Sequence, residues 1–225
     1  MVALLKLQHE MGVVRVAKEV KMLNGVIVLI VIVVALLRGG SLRNLVALEL
    51  RWLPLVLGSF GLQVLIFTPF RAEPLIPVAT APLYVLSMAL LVIWVVLNRH
   101  IPGIILISAG VLMNLAAIAA NGGYMPVAPE AAHYAGRIAR YATDGQPIAN
   151  NSLAIADNVR LWILTDIFPI PAGIPLANVF SLGDVLLTTG IAILCYRAIR
   201  GLAMASPARA EPPAVALSQR VSTDQ

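Results

Sequence analysis

Five apolar stretches alternate with short polar segments along this chain. They cover residues 22–37, 52–70, 82–97, 102–120 and 180–196. Each contains few or no charged side chains and approaches the roughly 20 residues that an α-helix needs to cross the hydrocarbon core of a bilayer. Prolines near the starts of several stretches and glycines after their ends are typical of helix boundaries. The pattern predicts an all-α, polytopic transmembrane bundle of about five spans.

Composition supports this prediction. Hydrophobic residues make up 60% of the chain and charged residues 12%, and the mean hydropathy is +0.89. A soluble domain is typically about 45–50% apolar and about 25% charged. These values exclude a disordered protein, a nucleic-acid-binding module and an ordinary cytosolic enzyme. The lipid bilayer is the expected partner.

Basic residues indicate the orientation, because lysine and arginine concentrate in cytoplasmic loops. With a cytoplasmic C-terminus, the inner arginines are Arg38, Arg43, Arg51, Arg99, Arg197, Arg200, Arg209 and Arg220. The outer arginines are then Arg71, Arg137, Arg140 and Arg160. The larger inner set favours this orientation, and it accounts for the net charge of +5 without a nucleic-acid partner.

The N-terminal segment, residues 1–21, conflicts with that orientation because it would lie outside. Its basic residues are Lys6, Arg15, Lys18 and Lys21. One interpretation is a misassigned extension, with translation beginning at Met22. The other is a cytoplasmic amphipathic helix with one fewer span, or with one re-entrant span. Residues 22–200 form the predicted transmembrane domain, and residues 201–225, rich in Ala, Pro and Ser, are expected to be a disordered cytoplasmic tail.

A long outer loop, residues 121–179, separates the fourth and fifth spans. Loops of this length are usually functional or contain elements of their own, and residues 129–141 are predicted to form a helix. Its polar face would carry Glu130, His133, Arg137 and Arg140, and its apolar face Ala131, Tyr134, Ala135, Ile138 and Ala142. Such a helix either lies in the membrane interface or packs over the ends of the spans.

Small and polar residues share one face of the fourth span. Gly103, Gly110 and Ala117 recur every seven residues, and Asn114 lies beside them. Small residues let helices approach closely, and an asparagine in lipid needs a hydrogen-bond partner. Gln63 in the second span is a candidate for that partner. The face predicts either tight packing with interhelical hydrogen bonds or a polar path towards the outer loop.

Ser181 and Asp184 open the fifth span. Serine at the N-cap with an acid three positions later resembles a capping box, in which the side chains bind free backbone N–H groups. A carboxylate there also interacts favourably with the positive end of the helix dipole. The alternative is a functional carboxylate about one turn below the outer surface, because ionisable residues within spans are costly and often functional.

A second acid, Asp166, is expected on the same outer side as Asp184. Two carboxyl groups that share a proton can act as an acid–base pair on water, as in aspartic peptidases. Residues 178–184 are similar to the Phe-Asn-x-Ala-Asp segment of lipoprotein signal peptidases, although Ser181 stands where that family has asparagine. The fourth span also ends without that family's second Asp-Arg pair. Asp166 and Asp184 are therefore the candidate catalytic residues.

The fourth span ends in a distinctive motif. Its residues are Asn121, Gly122, Gly123, Tyr124, Met125 and Pro126. One glycine fits a helix C-cap, where a left-handed backbone is required. The second indicates a close backbone approach, either to residues 169–175 or to a ligand. The motif is expected to be a structural clasp or the lip of a binding site.

Three segments resemble those of a known family. They are the motif at 121–127 (Asn-Gly-Gly-Tyr-Met-Pro-Val), residues 166–171 (Asp-Ile-Phe-Pro-Ile-Pro) and residues 178–186 (Asn-Val-Phe-Ser-Leu-Gly-Asp-Val-Leu). With Asn114, Gln63 and the turn at 37–42, they resemble an uncharacterised bacterial integral-membrane family, domain of unknown function 5317. The likeness extends over about residues 22–200. It implies a small multi-pass protein of the bacterial inner membrane that starts near Met22, and it brings no known activity.

The chain offers little metal or cofactor chemistry. Its one cysteine, Cys195, excludes an intrachain disulfide and a cysteine-based metal cluster. His9, His100 and His133 lie outside the apolar stretches, which argues against a bis-histidine haem site between spans. We expect no cofactor and no metal.

Three functional hypotheses follow. The first is a non-enzymatic membrane component whose outer loop forms a polar site or a surface for a membrane-protein partner or a second copy. The second is a membrane-embedded hydrolase that uses Asp166 and Asp184. The third is a small-solute transporter with a mid-membrane cavity lined by Asn114 and Gln63. The candidate binding residues are Asn114, Asn121, Gly122, Gly123, Tyr124, Met125, Pro126, Ser181 and Asp184.

Overall fold

The computed structural model describes residues 22–70, 73–138 and 151–202, and this part of the chain is mostly helical. The longer helices are α1 (Met22–Leu37), α3 (Leu53–Phe67), α4 (Thr80–Leu97), α5 (Ile104–Ala120) and α7 (Leu182–Ile199). The short ones are α2 (Leu42–Val46), α6 (Pro129–Tyr134) and a 3₁₀ turn at Trp162–Leu164. Each of the five apolar stretches thus forms one long helix, with ends within a few residues of those predicted.

Short strand pairs lie outside the helices, so the described chain is not purely α-helical. Strands β1 (Pro69–Phe70) and β2 (Glu73–Pro74) are antiparallel, β3 (Met125–Val127) and β4 (Ser152–Ala154) are parallel, and β5 (Phe168–Pro169) and β6 (Val179–Phe180) are antiparallel. The second apolar stretch was predicted to be helical to Phe70. Its helix ends at Phe67, before Pro69, because a residue preceding proline is biased away from the helical conformation.

Two helices are long and apolar enough to cross a membrane. They are α4, with a mean hydropathy of 2.2, and α7, with 1.5. Three shorter apolar helices accompany them, at Asn24–Leu37, Leu53–Phe67 and Ile104–Ala120. The helical class is confirmed, and the number of five spans stays a prediction.

The long helices pack in the order α3, α4, α5, α7, α1. Helices α3 and α4 are antiparallel, since Arg51 before α3 contacts Asn98 after α4 while Phe67 at the end of α3 packs on Tyr84 near the start of α4. Between these contacts, Ser59 Oγ donates to the carbonyl of Ser87 at 2.8 Å. Helix α1 lies parallel to α7: Arg38 Nη1 donates to Tyr196 Oη at 3.4 Å, and the backbone N–H of Ser41 donates to the carbonyl of Ile199 at 2.9 Å. Successive long helices from α3 to α7 therefore pack as antiparallel neighbours, whereas α1 packs on α7, the last helix.

Glycines bring α5 and α7 into backbone contact. A Cβ added at Gly110 would lie 2.5 Å from the carbonyl oxygen of Gly183, and one added at Gly190 would lie 2.7 Å from the N–H nitrogen of Ile107. Gly103, whose φ is +79°, likewise lies against the carbonyl of Gly190. The antiparallel α5–α7 crossing confirms the tight packing predicted for this face of the fourth span.

The predicted partner of Asn114 was wrong. Gln63 donates from Nε2 to Ser87 Oγ at 3.1 Å, which places it between α3 and α4. Asn114 instead faces α7, where it contacts Ser181 and Asp184. Gln63 and Asn114 were expected to pair because both lie near the middle of their helices. Each helix is rotated so that these two side chains face different neighbours.

The helix predicted over residues 129–141 is shorter than expected. Helix α6 ends at Tyr134, and Gly136 follows with a φ of +65°, a left-handed conformation that commonly terminates helices. Ala131 and Ala135 are buried as predicted, but Tyr134 is 61% exposed. Arg140, Tyr141 and Ala142 lie outside the described residues.

One end of the bundle, here called the inner end, comprises residues 38–52, 98–103 and 197–202. Asn98 ties it together: its Oδ1 accepts from the backbone N–H of Arg51 at 2.8 Å, and its Nδ2 donates to the Arg51 carbonyl at 2.9 Å. The opposite, outer end holds the loop between α5 and α7. The N-terminal segment at 1–21, the tail from 203 onward, Arg71, Arg209 and Arg220 lie outside the described residues.

We expect Gly110→Ala to lower the free energy of unfolding in detergent by about 1–3 kcal/mol, the usual cost of overpacking. The added methyl group would meet backbone atoms of α7, which cannot rotate away. Gly58→Ala is the matched control, because none of the described atoms lies within 4 Å of a Cβ at that helical position. The control should be neutral or slightly stabilising. Equal melting temperatures for both variants would contradict a close α5–α7 crossing.

Candidate functional site

Asn114 and the first turn of α7 meet at the outer end of the bundle. Asn114 Nδ2 donates to Asp184 Oδ1 at 2.9 Å, and Ser181 Oγ donates to Asn114 Oδ1 at 3.0 Å. Asn114 and Ser181 are both buried. Gly183 makes this approach possible, because a Cβ there would collide with the amide oxygen of Asn114. Gly183 is a residue that sequence reasoning missed, and its place between Ser181 and Asp184 gave only a weak signal.

The capping box at Ser181 and Asp184 is confirmed. Ser181 Oγ accepts from the backbone N–H of Asp184 at 3.1 Å, and Asp184 Oδ2 accepts from the backbone N–H of Ser181 at 3.2 Å. Together with the bond from Asn114, each oxygen of Asp184 receives one hydrogen bond. The side chain of Asp184 thus links Asn114 of α5 to the N-terminus of α7.

Asp166 is held in place through its backbone. Its N–H donates to the carbonyl of Pro126 and its carbonyl accepts from the N–H of Ala128, both at 3.0 Å. The residue thereby lies alongside β3 as a parallel bridge partner of Val127. The preceding 3₁₀ turn packs against α5 and α7. The loop, rather than a span, therefore brings this second acid to the helix ends.

The carboxyl group of Asp166 lies in a different environment from that of Asp184. Asp166 is only 8% exposed, and its Oδ1 has no hydrogen-bond partner among the described residues. Burial raises the pKa of Asp166 well above its usual range, and the negative charge of Asp184 raises that pKa further. Burial therefore favours the neutral form of Asp166.

Tyr84 of α4 completes this group of side chains. Its hydroxyl accepts from Asn151 Nδ2 at 3.0 Å, and the carbonyl of Asn151 accepts from the N–H of Met125 in β3, the strand that Asp166 bridges. Phe67 packs edge-on against its ring, with centroids 4.9 Å apart. Sequence reasoning did not select Tyr84 or Asn151, since neither belongs to a motif. We call the set Tyr84, Asn114, Asn151, Asp166, Ser181 and Asp184 the outer polar cluster.

The Asn121 motif joins two parts of the loop to the bundle. Asn121 Nδ2 donates to the carbonyls of Ala117 (2.7 Å) and Arg160 (2.8 Å), and its Oδ1 accepts from the N–H of Arg160 at 2.9 Å. Tyr124 shares a hydrogen bond with Thr80 at the start of α4. These contacts are those of a structural clasp.

Both glycines of the motif adopt left-handed conformations, with φ of +78° at Gly122 and +92° at Gly123. The close approach predicted for the second glycine exists, but its partner was predicted wrongly. A Cβ at Gly123 would lie 2.6 Å from the Cβ of Ala81 in α4, not against residues 169–175. Met125 and Pro126 are buried in β3, so neither forms the lip of an open site.

The described residues of the loop, 121–138 and 151–181, form a cap at the outer end of the bundle. Arg137 Nε donates to the carbonyl of Ala177 at 3.0 Å, and the rings of Phe168 and Phe180 stack 5.7 Å apart. Among the residues that the structure describes, no group of three or more His, Cys, Asp or Glu side chains could hold a metal ion. The chemistry available beneath the cap is that of two carboxyl groups, a phenol and two amides.

Asp166 should make stability depend on pH. Its raised pKa means that the folded protein holds the proton more tightly than the unfolded chain, whose value is near 3.8. The stabilisation is complete below that value and declines as the pH rises towards the folded pKa. Between pH 4.5 and 7.5, the melting temperature of wild type in detergent should therefore fall more than that of Asp166→Asn.

Asparagine keeps the shape of the neutral acid without titrating, and each unit of pKa difference corresponds to about 1.4 kcal/mol. The variant should thus melt higher than wild type at pH 7.5 and converge with it at pH 4.5. Parallel pH profiles would show that Asp166 is not a buried acid.

Residues 47–196 match the model of a family of unknown function (DUF5317). The match begins before α3, ends within α7 and does not reach α1 or α2. No curated protein and no solved structure matches the chain. The matched segment is 150 of the 225 residues, from 47 to 196 inclusive. The chain therefore belongs to the DUF5317 family of unknown function.

Proposed function

We propose that this chain is a multi-pass membrane protein in which α1, α3, α4, α5 and α7 are the five spans. The apolar side chains on the outside of the bundle support this. Only 28% of α4 and 33% of α7 is buried, whereas an apolar core helix of a soluble protein would be mostly buried. Examples of exposed side chains are Leu29 (58%), Leu57 (62%), Val96 (61%) and Ile105 (81%). Water does not tolerate apolar surface of this extent on a monomer, but hydrocarbon does.

Helix length is compatible with this proposal. The shortest span, α3, has 15 residues and α5 has 17, which corresponds to roughly 23–26 Å at 1.5 Å per residue. A hydrocarbon core of about 30 Å adapts to shorter spans by local thinning at modest cost. Apolar residues beyond the helix ends, such as Ile76 and Ile101, extend the hydrophobic band.

We place the inner end in the cytoplasm and the cap outside. Arg38, Arg43, Arg99, Arg197 and Arg200 lie at the inner end, and basic residues favour the cytoplasmic side. Five spans, with α1 parallel to α7, put residue 22 outside and residue 202 inside. The C-terminal tail then emerges into the cytoplasm.

Cysteine labelling tests this topology. In a Cys195→Ser background, we expect Asp157→Cys, in the exposed cap, to react with a membrane-impermeant maleimide in intact spheroplasts. Arg43→Cys, at the exposed inner end, should react only after the membrane is permeabilised. Equal labelling of both positions before permeabilisation would refute the topology, and the reverse pattern would invert it. The Cys195→Ser parent controls for background labelling.

The function that we propose is binding at the outer polar cluster, without catalysis. One observation carries this proposal: Asp166, in the cap, presents a buried carboxyl oxygen with no partner among the described residues. Leaving a buried polar atom unpaired costs about 1–3 kcal/mol, so a ligand group that donates a hydrogen bond to Asp166 would recover that free energy. The ligand is a hydrogen-bond donor on a membrane-protein partner, a lipid or a second copy of the chain.

A second candidate, a membrane-embedded hydrolase, is favoured by the difference between the two acids. In this candidate, a neutral Asp166 protonates the carbonyl oxygen or leaving group of a scissile bond, and the carboxylate of Asp184 accepts a proton from the attacking water. Two carboxyl groups in different environments can take the separate roles that acid–base catalysis requires. Against it, Asp184 already binds Asn114 and its own helix N-terminus.

Two measurements distinguish the binding function from the hydrolase. Purification in mild detergent should recover a stoichiometric protein or lipid with the wild type, and Asp166→Ala, which removes the acceptor oxygen, should weaken its retention. For the hydrolase, membranes with wild type should contain new protein termini or lipid products, reduced at least about 100-fold by Asp166→Asn and by Asp184→Asn. Identical product profiles for wild type and both variants exclude hydrolysis, and repeated recovery of a bare monomer excludes the binding role.

The transporter hypothesis finds no such support. It required one cavity lined by Asn114 and Gln63, and these side chains belong to separate hydrogen-bond networks. Glycine-mediated contact closes the α5–α7 crossing on the side of Asn114. We therefore do not extend the proposal to transport.

A further inference from the structure

A shallow pocket of about 390 Å³ opens at the inner end of the bundle. It lies between the turn joining α4 to α5 and the last turns of α7. Its lining includes His100, Ile101, Gly103, Ile193, Arg197 and Leu202. The volume falls within the range of about 300–1,000 Å³ typical of small-molecule sites.

The polar side of the pocket is basic. His100 and Arg197 contribute the ionisable side chains of the lining, and it contains no acid. Arg197 Nη2 donates to the carbonyl of Leu202 at 3.2 Å, and within the described ranges neither basic residue forms an ion pair. The remaining guanidinium donors of Arg197 are available to an anion, and guanidinium matches phosphate geometry with two parallel hydrogen bonds.

The two sides of the pocket are held in a fixed relation. Gly103 lies directly against the backbone of Gly190, so the α4–α5 turn that carries His100 packs on α7, which carries Arg197. Ile101, next to His100, is 3% exposed and anchors the same turn in the core. Little ordering is therefore needed when an anion binds, which favours affinity.

Apolar walls adjoin the basic groups. Ile193 and Leu202 are partly exposed on the side of the pocket formed by α7 and the residues after it. A free phosphate ion has no apolar groups that could be buried against these walls. The glycerol and first methylene groups of a phospholipid would bury apolar surface there, at about 25 cal/mol for each Å².

We infer that this pocket binds the phosphate headgroup of an anionic phospholipid from the cytoplasmic leaflet, with Arg197 and His100 on the phosphate and Ile193 and Leu202 on the glycerol region. The inference rests on the proposed membrane insertion, which places the inner end of the bundle at headgroup level. The surface of that leaflet is negative, and basic sites between spans recognise anionic headgroups there.

The test uses purified full-length protein in detergent and a short-chain lipid, dioctanoyl phosphatidylglycerol, counted by native mass spectrometry. Dioctanoyl phosphatidylcholine is the neutral comparison. We expect tighter binding of the anionic lipid and about a tenfold loss of its affinity in Arg197→Gln, the effect of removing a charge-assisted hydrogen bond. Arg43→Gln is the matched control, since it removes the same charge from the same end outside the pocket.

Three results would overturn the inference. These are equal affinities for the two lipids, an equal loss in Arg197→Gln and Arg43→Gln, or displacement of the lipid by millimolar inorganic phosphate, which would indicate a simple anion site. A His100→Gln variant with a smaller loss, of about threefold, would support it further, and unchanged binding in that variant would remove His100 from the site. Lipid binding is measured in detergent, whereas cysteine labelling is measured in spheroplasts. A negative result for lipid binding is therefore distinguishable from a negative result for the proposed topology.

Discussion

The backbone contact between α5 and α7 is the constraint on which the rest of the structure depends. Side chains larger than hydrogen at Gly110, Gly183 or Gly190 would push the helices apart. Because the helices touch, Asn114 reaches the first turn of α7 and holds the capped carboxylate of Asp184. Close packing and interhelical hydrogen bonds of this kind hold helices together without depending on apolar burial.

Two chemically identical carboxyl groups lie in different environments at the outer end. Asp184 lies at a helix terminus that supplies a backbone N–H, and α5 supplies an amide. Asp166 enters from the loop and is buried with one oxygen unpaired among the described residues. The contact between α5 and α7 therefore gives Asp184 its hydrogen-bond partners, whereas the loop determines the surroundings of Asp166. Family members with other residues at these positions would reveal which of the two groups the function needs.

Sequence patterns within a few residues predicted much of this structure. Contacts between residues far apart in the sequence were not predicted correctly. The apolar stretches placed the five long helices, and the Ser181–Asp184 capping box was visible because it lies within four residues. Asn114 was expected to need a partner, but the choice of Gln63 was wrong, since partner identity depends on how each helix is rotated. Gly123 was expected to approach other backbone closely, yet its partner lies some 40 residues away in sequence, where no local pattern points to it.

Helix α1 carries a consequence for synthesis of the protein. It packs on α7, and the Arg38–Tyr196 contact joins residues 158 positions apart. At about 5–20 residues per second, translation leaves roughly 8–30 s between the appearance of the first helix and of its neighbour. During that interval α1 lacks the helix on which it packs. The order of the chain thus delays completion of the bundle until α7 has been made.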